Sequence, residues 1–588
     1  MDDDIVEFQY KIGTDTYESL QDRLQRLYKK GMEEFLKEDV FYVESEYPTK
    51  LFSTYKGSNR KHAIEDLKQT FKKLKFYSNN EFAFKDVHNE VLFNQNGKIL
   101  VEVVQLFERY KIVYDSKHQF LGDLFEQLLN KGFKQNEGQF FTPMPITRFI
   151  WESLPLENII KTDKGKYYPY IIDYACGSGH FLTEGIDIIN KLMKNESNDW
   201  VSHSIYGIEK DYRLARVSKI SLFMNGAGGG NIIFGDGLEN DSSKGIENGK
   251  FDILVANPPY SVKAFKSHLK LENNDFELLD RISNDGGEIE VLFIERITQL
   301  VKPNGVAAVI LPSSILSNTS NSYIGAREIL LKHFKINVIV QFGSKTFGAT
   351  GTNTVVLFLK KYDEPPKKHE MIQDSILNIF NEEDVNDWGD TEIFDKYIKH
   401  IGVEKHVYIS FIKSNREYKD FLTNDYFKMY VDSFDNSTIA KNIKKKKINN
   451  RYSEEDKAQE LKQSFYSYAK AIEQDKMFYF ALVKDYKTLI VNAPTGNVSQ
   501  KEFLGYDWSN RKGNEGIQIT KLGGMLFDEN DRESRDHIAT IIRKTFDEEM
   551  CDFQKHTTIL RTKNMLDFSR EIFDKKINLI VVNIHLNH

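Results

Sequence analysis

The chain has 588 residues, 80 Lys and Arg against 87 Asp and Glu, and a formal net charge of −7. That length exceeds one compact core, so roughly two to four domains are expected, and the acidic balance argues against a protein that grips phosphates over its whole surface. Two cysteines, Cys176 and Cys551, make neither a disulfide framework nor a metal pattern and fit a reducing cytoplasm, while no apolar run approaches the roughly 20 residues of a membrane span and the acidic start MDDDIVEFQY is no signal peptide.

Residues 1–135 read as a mostly helical N-terminal domain. Leu20, Leu24, Leu27, Met32 and Phe35 fall at near-helical spacing within 17–37, and Leu121, Leu124, Phe125 and Leu128 repeat the pattern within 105–129. Such stripes are first of all packing faces.

From 136 to 363 short apolar strands alternate with amphipathic helices. Strands are expected at 167–175, 204–209, 231–234, 251–256 and 306–311, and helices at 179–194, 211–224, 288–301 and 323–334. Segments 336–342 and 354–359 have no helix between them and predict an antiparallel edge hairpin. The fold class is α/β, a doubly wound Rossmann-like sheet flanked by mostly helical N- and C-terminal regions. Ligands of such sheets sit at the carboxyl ends of the strands.

Pro365-Pro366 marks the exit from that domain, and 364–588 reads as a largely helical region. Within it 441–447 is the best local candidate for phosphate contact, with a solvated helix end as the plain alternative. Ser453-Glu454-Glu455 can cap a helix running to about 474. The aromatic and polar stretch 503–511 reads as an ordered loop or docking surface. The apolar stretch 578–583 is either an edge strand or the start of a further domain.

Two strand ends carry the chemistry. After the first strand comes Asp173-Tyr174-Ala175-Cys176-Gly177-Ser178-Gly179, where glycines let a ligand approach the backbone and a helix amino terminus follows. No Gly-Lys-Ser/Thr follows, which excludes a P-loop, and the GxGxxG of nicotinamide binders is incomplete. Asp173 can pair with an ammonium, Glu209 at the next strand end with ribose hydroxyls, and Asp236 after the third strand with an adenine amine. Those three groups together describe S-adenosyl-L-methionine. Singly, each carboxylate is as well explained as a cap or turn residue.

The second site is Asn257-Pro258-Pro259-Tyr260, directly after the apolar run 251–256. The amine of adenine is a poor nucleophile because its lone pair is delocalised into the ring. The Asn257 side-chain oxygen and the Pro258 carbonyl can accept both amine hydrogens and localise that lone pair, a matter of positioning and electrostatics. Pro259 stiffens the turn and Tyr260 can stack on a base drawn out of the duplex. A cytosine C5 methylase would need a nucleophilic cysteine, typically after proline, and Cys176 lies instead in the glycine loop.

In this order the motifs resemble N6-adenine DNA methyltransferases, and most of all the modification subunits of type I restriction-modification systems. The matching residues are Gly138-Gln139-Phe140-Phe141-Thr142-Pro143, then Asp173 to Gly179 with His180-Phe181-Leu182, then Glu209, Asp236 and Asn257 to Tyr260, followed by 293–312. The resemblance covers about 114–361. It implies a cofactor site in which Gln139, Phe140, Phe141, Thr142, Pro143 and Met144 wrap the methionine end, with Asp173, Cys176, Gly177, Ser178, Gly179, Glu209 and Asp236 holding the rest. It implies no metal.

The resemblance also implies a separate specificity subunit that reads double-stranded DNA, two modification subunits that clamp it, a flipped adenine, and a restriction subunit that joins the complex. It implies partner docking or DNA clamping as the part of 364–588. The family often has a basic residue where this chain has Met144 and proline where it has Tyr174; neither change removes a chemical role. Residues 503–516 also resemble a carboxyl-terminal segment of such subunits. The main alternative is a self-sufficient adenine-N6 methyltransferase whose residues after 364 recognise DNA. Others are a methyltransferase for protein glutamine or RNA guanine, which can share the second motif, and a non-catalytic DNA-binding scaffold.

Overall fold

The computed structural model describes residues 8–35, 40–41, 61–64, 77–78, 90–109 and 142–561, the last apart from 163–164, 195–196, 225–229, 344–345, 348–352, 364–368, 382–387, 389–390, 508–517 and 551–555. The stripe at 121–128, Gly138 to Phe141 of the first cofactor motif, Trp508 to Gly516, Cys551 and the apolar 578–583 lie outside these residues. The N-terminal region includes the helices α1 (Tyr17–Phe35) and α2 (Glu90–Phe107). Among the described residues no helix is long and apolar enough to cross a membrane.

Among the described residues, nine strands form one sheet: β1 (Ile171–Asp173), β2 (Ile205–Glu209), β3 (Asn231–Phe234), β4 (Phe251–Ala256), β5 (Val301–Pro312), β6 (Phe334–Phe342), β7 (Thr354–Lys361), β8 (Lys487–Asn492) and β9 (Thr557–Arg561). Their order across the sheet is β9-β8-β6-β7-β5-β4-β1-β2-β3. The run from β5 through β4, β1 and β2 to β3 is parallel. The expected hairpin is antiparallel, with Val340 opposite Val356. Its β7 lies inward, against β5, and two strands from beyond residue 482 extend the sheet past β6. β8 pairs with β6 in parallel and β9 with β8 antiparallel. Residue 363 therefore ends the contiguous α/β sequence but not the sheet.

The strands hold because they are apolar on both faces, as buried parallel strands are. In β4 Ile253 and Val255 enter one core, and Leu254 and Ala256 the other. The first core packs α3 (Met144–Ser153) and α4 (His180–Met193) through Phe149, Trp151, Leu182 and Ile189. The second packs α6 (Glu290–Leu300) and α7 (Asn321–His333) through Phe293, Ile297 and Leu330. Helix α5 (Tyr212–Met224) runs between β2 and β3. Residues 302–305 form a bulge in β5, where pairing with β4 jumps from Phe251↔Val301 to Ile253↔Val306 and Asn304 takes φ 62°.

Residues 369–482 form a helical unit with its own core, dominated by aromatic rings such as Phe394, Phe411, Phe427, Phe434 and Phe465. Its long final helix, α8 (Glu454–Leu482), opens on the capping box that Ser453 suggests, with Asp456 as the reciprocal partner. At the centre of the unit stands Glu473, with no exposed surface. Tyr397 and Tyr408 donate to its Oε2 at 3.0 and 2.5 Å, Tyr426 donates to Oε1 at 2.7 Å, and Tyr430 donates to the same oxygen.

Burial first, and the Glu473 charge second, push these four phenols well above their ordinary value. The folded chain thus holds these protons more tightly than the unfolded chain. The stability they contribute is complete below the unfolded tyrosine value and is lost as pH rises past it. Thermal melting followed by circular dichroism should fall steeply above about pH 10. A flat melting temperature through that range would mean the four phenols are not coupled to folding.

Candidate active site

Two strand ends build the site. At the end of β1 the backbone reverses through Gly177 and Gly179 with φ 55° and 86°, values that need glycine. A Cβ on Gly179 would lie 2.5 Å from Ser218 Oγ of α5, so the loop also needs the missing side chain to pack. The backbone N–H of Cys176 donates to the Ile208 carbonyl at 2.9 Å, and its buried thiol lies 3.9 Å from the Ser218 hydroxyl. Burial, then Asp173 and Glu209, push that thiol well above its ordinary value, so it is no nucleophile.

Asp173 is 1% exposed. Its Oδ1 accepts from the Ala175 N–H at 3.0 Å. Its Oδ2 is buried with no hydrogen-bond partner among the described residues. Burial, reinforced by Glu209, raises this carboxyl well above the usual range. A lone buried acceptor atom at a glycine loop suits a cationic ligand group.

Glu209 ties the loop to β2. Its Oε2 accepts from the Gly177 N–H at 2.9 Å and its Oε1 from the Asp211 N–H at 2.7 Å. Burial raises its carboxyl and these backbone bonds oppose the rise. Asp236, at the end of β3, accepts from the Leu238 N–H at 3.1 Å and pairs with Lys210 Nζ at 2.7 Å. A cavity of about 720 Å³ opens beside it, lined by Ile208, Phe234, Asp236, Lys244 and Asn273 among others. Neither the glycine loop nor Asn257 to Tyr260 lines that cavity.

At the end of β4 the Asn257 side-chain Nδ2 donates to Thr142 Oγ1 at 3.1 Å. This bond joins the two outer motifs, which are 115 residues apart in sequence. Thr142, Pro143 and Met144 lead into α3. Arg148 of that helix is buried and donates to Glu184 and Asp187 of α4 at 2.8 Å each. Arg532, from the C-terminal region, adds a bond to Glu157 at 3.0 Å and another to Glu152. His180 bonds the Thr142 backbone, and burial holds its imidazole down at about 4, so it is neutral at pH 7.

Tyr260 is 2% exposed, and Ser261 after it has φ 58°. The Ser261 N–H donates to Glu290 Oε2 at 3.1 Å, and the Tyr323 hydroxyl donates to Glu290 Oε1 at 2.5 Å. Burial raises the Glu290 carboxyl, against the pull of these bonds. Sequence reasoning passes over Glu290 because an acid in a first helical turn needs no further explanation. It also passes over Gly237, where a Cβ would meet the Tyr174 carbonyl oxygen at 2.1 Å. Arg296 secures that crossing by donating to the Gly237 and Glu239 carbonyls at 3.1 and 2.6 Å.

The structure thus brings Thr142 to Asn257 and joins Cys176, Gly177 and Glu209, with Asp173 beside them. Asp236 lies on the loop after β3, whose Gly237 packs against the Tyr174 carbonyl beside Asp173. Gln139, Phe140 and Phe141 lie outside the described residues. Among those residues there is no group of three or more His, Cys, Asp or Glu side chains able to hold a metal.

A family profile described as N-6 DNA Methylase matches residues 116–460, more than half of the chain. The chain belongs to the N-6 DNA methylase family. The matched stretch contains both strand ends and reaches into the helical unit. The methylase subunit of the type I restriction enzyme EcoEI of Escherichia coli is 26% identical over 290 residues, covering 49% of this chain and 54% of that protein. The MjaIX methylase subunit of Methanocaldococcus jannaschii is 25% identical over 271 residues, 44% of each. The chain spans about half the length of the curated relatives it matches. The crystal structure of a type I restriction-modification methyltransferase subunit from Streptococcus thermophilus aligns at 19% identity with a TM-score of 0.35, over 59% of this chain and 71% of that one; so loose a likeness adds no detail to the site.

Proposed function

We propose that this chain transfers the methyl group of S-adenosyl-L-methionine to N6 of an adenine in DNA, as the modification subunit of a type I restriction complex. The observation that carries the reading is the Asn257 amide, held by Thr142 at the end of β4 and followed by Pro258-Pro259-Tyr260. The cofactor, when bound, supplies the methyl group. Asp173 Oδ2 is the acceptor for its ammonium, the left-handed loop at Gly177 and Gly179 admits it to the backbone, and Glu209 takes its ribose. Asp236 is the acceptor for its adenine amine, which requires the Lys210 pair to yield.

Asn257 and the Pro258 carbonyl accept the two hydrogens of the target amine, so its lone pair faces the methyl donor. Tyr260 stacks on the flipped base. Because the ring is buried, this turn has to open when the base enters. A separate specificity subunit, two modification subunits around the duplex and a restriction subunit complete the assembly, which works in the cytoplasm. The net charge of −7 supports a partner that carries much of the DNA recognition.

The test is transfer of labelled methyl groups to plasmid DNA, by the chain alone and with its specificity partner, with the modified nucleoside identified. The expected product is N6-methyladenine. Its absence under both conditions, with cofactor still bound, overturns the reading. Asp173→Asn supplies a second expectation. Because burial already disfavours the charged form of this carboxyl, its replacement should shift the stability of the unliganded chain by under about 1 kcal/mol and weaken cofactor binding by at least about ten-fold. Calorimetry reads both changes, and unchanged cofactor affinity would remove Asp173 from the site.

A further inference from the structure

We propose that Glu290 is a positioning residue for methyl transfer, holding the Asn257-to-Tyr260 turn in its working shape by locking Ser261 in a left-handed backbone conformation. This rests on the adenine-methylation reading above. Ser261 has φ 58°. A residue with a Cβ occupies that region only when its surroundings hold it there. The hold is visible: the Ser261 N–H donates to Glu290 Oε2 at 3.1 Å. The other carboxylate oxygen is itself fixed by the Tyr323 hydroxyl at 2.5 Å.

Glu290 has no exposed surface, and Tyr323 is 6% exposed. The pair is therefore a rigid strut from α6 and α7 to the residue that follows Tyr260. An acid in a first helical turn already gains from the helix dipole, but that gain asks nothing of Ser261. Releasing the strut lets Ser261 relax to an ordinary extended or helical backbone, which rotates the peptide joining it to Tyr260. Tyr260 would then no longer present its ring in register with Asn257.

The experiment compares Glu290→Gln, Ser261→Gly and the double variant in the full chain, using whichever assay, with or without the specificity partner, gives wild-type transfer. Glu290→Gln keeps the side-chain volume but loses one of the two acceptor oxygens. Its kcat should fall by about ten-fold or more. Cofactor Kd should stay within about two-fold, since the glycine loop is untouched. Glycine reaches positive φ without help, so the double variant should recover most of the lost kcat.

Wild-type kcat in Glu290→Gln overturns the inference and leaves the methylation reading standing. So does a loss that glycine at 261 does not restore. So does a loss that tracks earlier melting and weaker cofactor binding, which makes Glu290 a residue of general stability. Failure of the wild type to methylate adenine overturns the functional reading first and this inference with it.

Discussion

Asn257→Ala should lower kcat for adenine methylation by about 10²–10³-fold, the range seen when one preorganised polar group aimed at the reacting centre is removed. The effect is large because the substitution does two things. It deletes the amide oxygen that accepts from the target amine, and it releases the Nδ2 bond to Thr142 Oγ1. Cofactor Kd should change by less than about two-fold, because Asp173, Glu209 and the glycine loop are held by bonds that do not involve Asn257. Asn257→Asp should lose less. It keeps acceptor oxygens, and the Thr142 hydroxyl can turn to donate to the new carboxylate. Single-turnover transfer and equilibrium cofactor binding on the same preparations separate the two quantities. A wild-type kcat in Asn257→Ala would sink the proposed mechanism, whatever the cofactor affinity.

The features readable in sequence are those whose cause is local. A strand buried on both faces must be apolar throughout, so 251–256 declares itself, and it is followed within four residues by the Asn-Pro-Pro-Tyr turn. The glycine loop is equally local, since two left-handed positions demand glycine at 177 and 179. Ser453 is legible for the same reason, as a cap acts on the turn it opens. What escaped the sequence depends on partners brought from afar. Segment 487–492 is a short apolar run in a helical neighbourhood, and it becomes a strand because β6 offers it a parallel edge. Tyr174 stands where the family often has proline, and its hydroxyl reaches the Phe293 carbonyl at 3.3 Å, a contact no local pattern foretells. Glu209 and Asp236 were legible as carboxylates at strand ends. That Glu209 would bond the glycine loop, while Asp236 pairs with Lys210, was not.

Glu473 is the extreme case of such distant dependence, and Glu473→Ala should destabilise the helical unit by roughly 3–5 kcal/mol, the cost of removing one member from a buried charged network. Four phenols converge on this carboxylate from Tyr397, Tyr408, Tyr426 and Tyr430, which lie on separate helices or distinct helical turns. Without the acceptor, the phenols that find no new partner each cost about 1–3 kcal/mol, less whatever water entering the vacated space restores. Such terms do not add, so the total stays below four times the single cost. Glu473→Gln should fall between, as its amide retains one acceptor oxygen and can donate toward a phenol. The helical unit is also tied to the sheet: Tyr479 of α8 donates to Glu328 of α7 at 2.6 Å, and β8 follows that helix directly. If this tie makes the two units one cooperative body, calorimetry will show a single transition, lowered by roughly 3–6 °C in Glu473→Ala because the loss is spread over the larger unfolding entropy of the whole body. If they melt separately, the lower shift should appear in the helical transition alone, and the sheet with its glycine loop should keep its cofactor-dependent melting temperature. A melting profile identical to wild type would mean that the four phenols find other partners and that Glu473 does not organise this core.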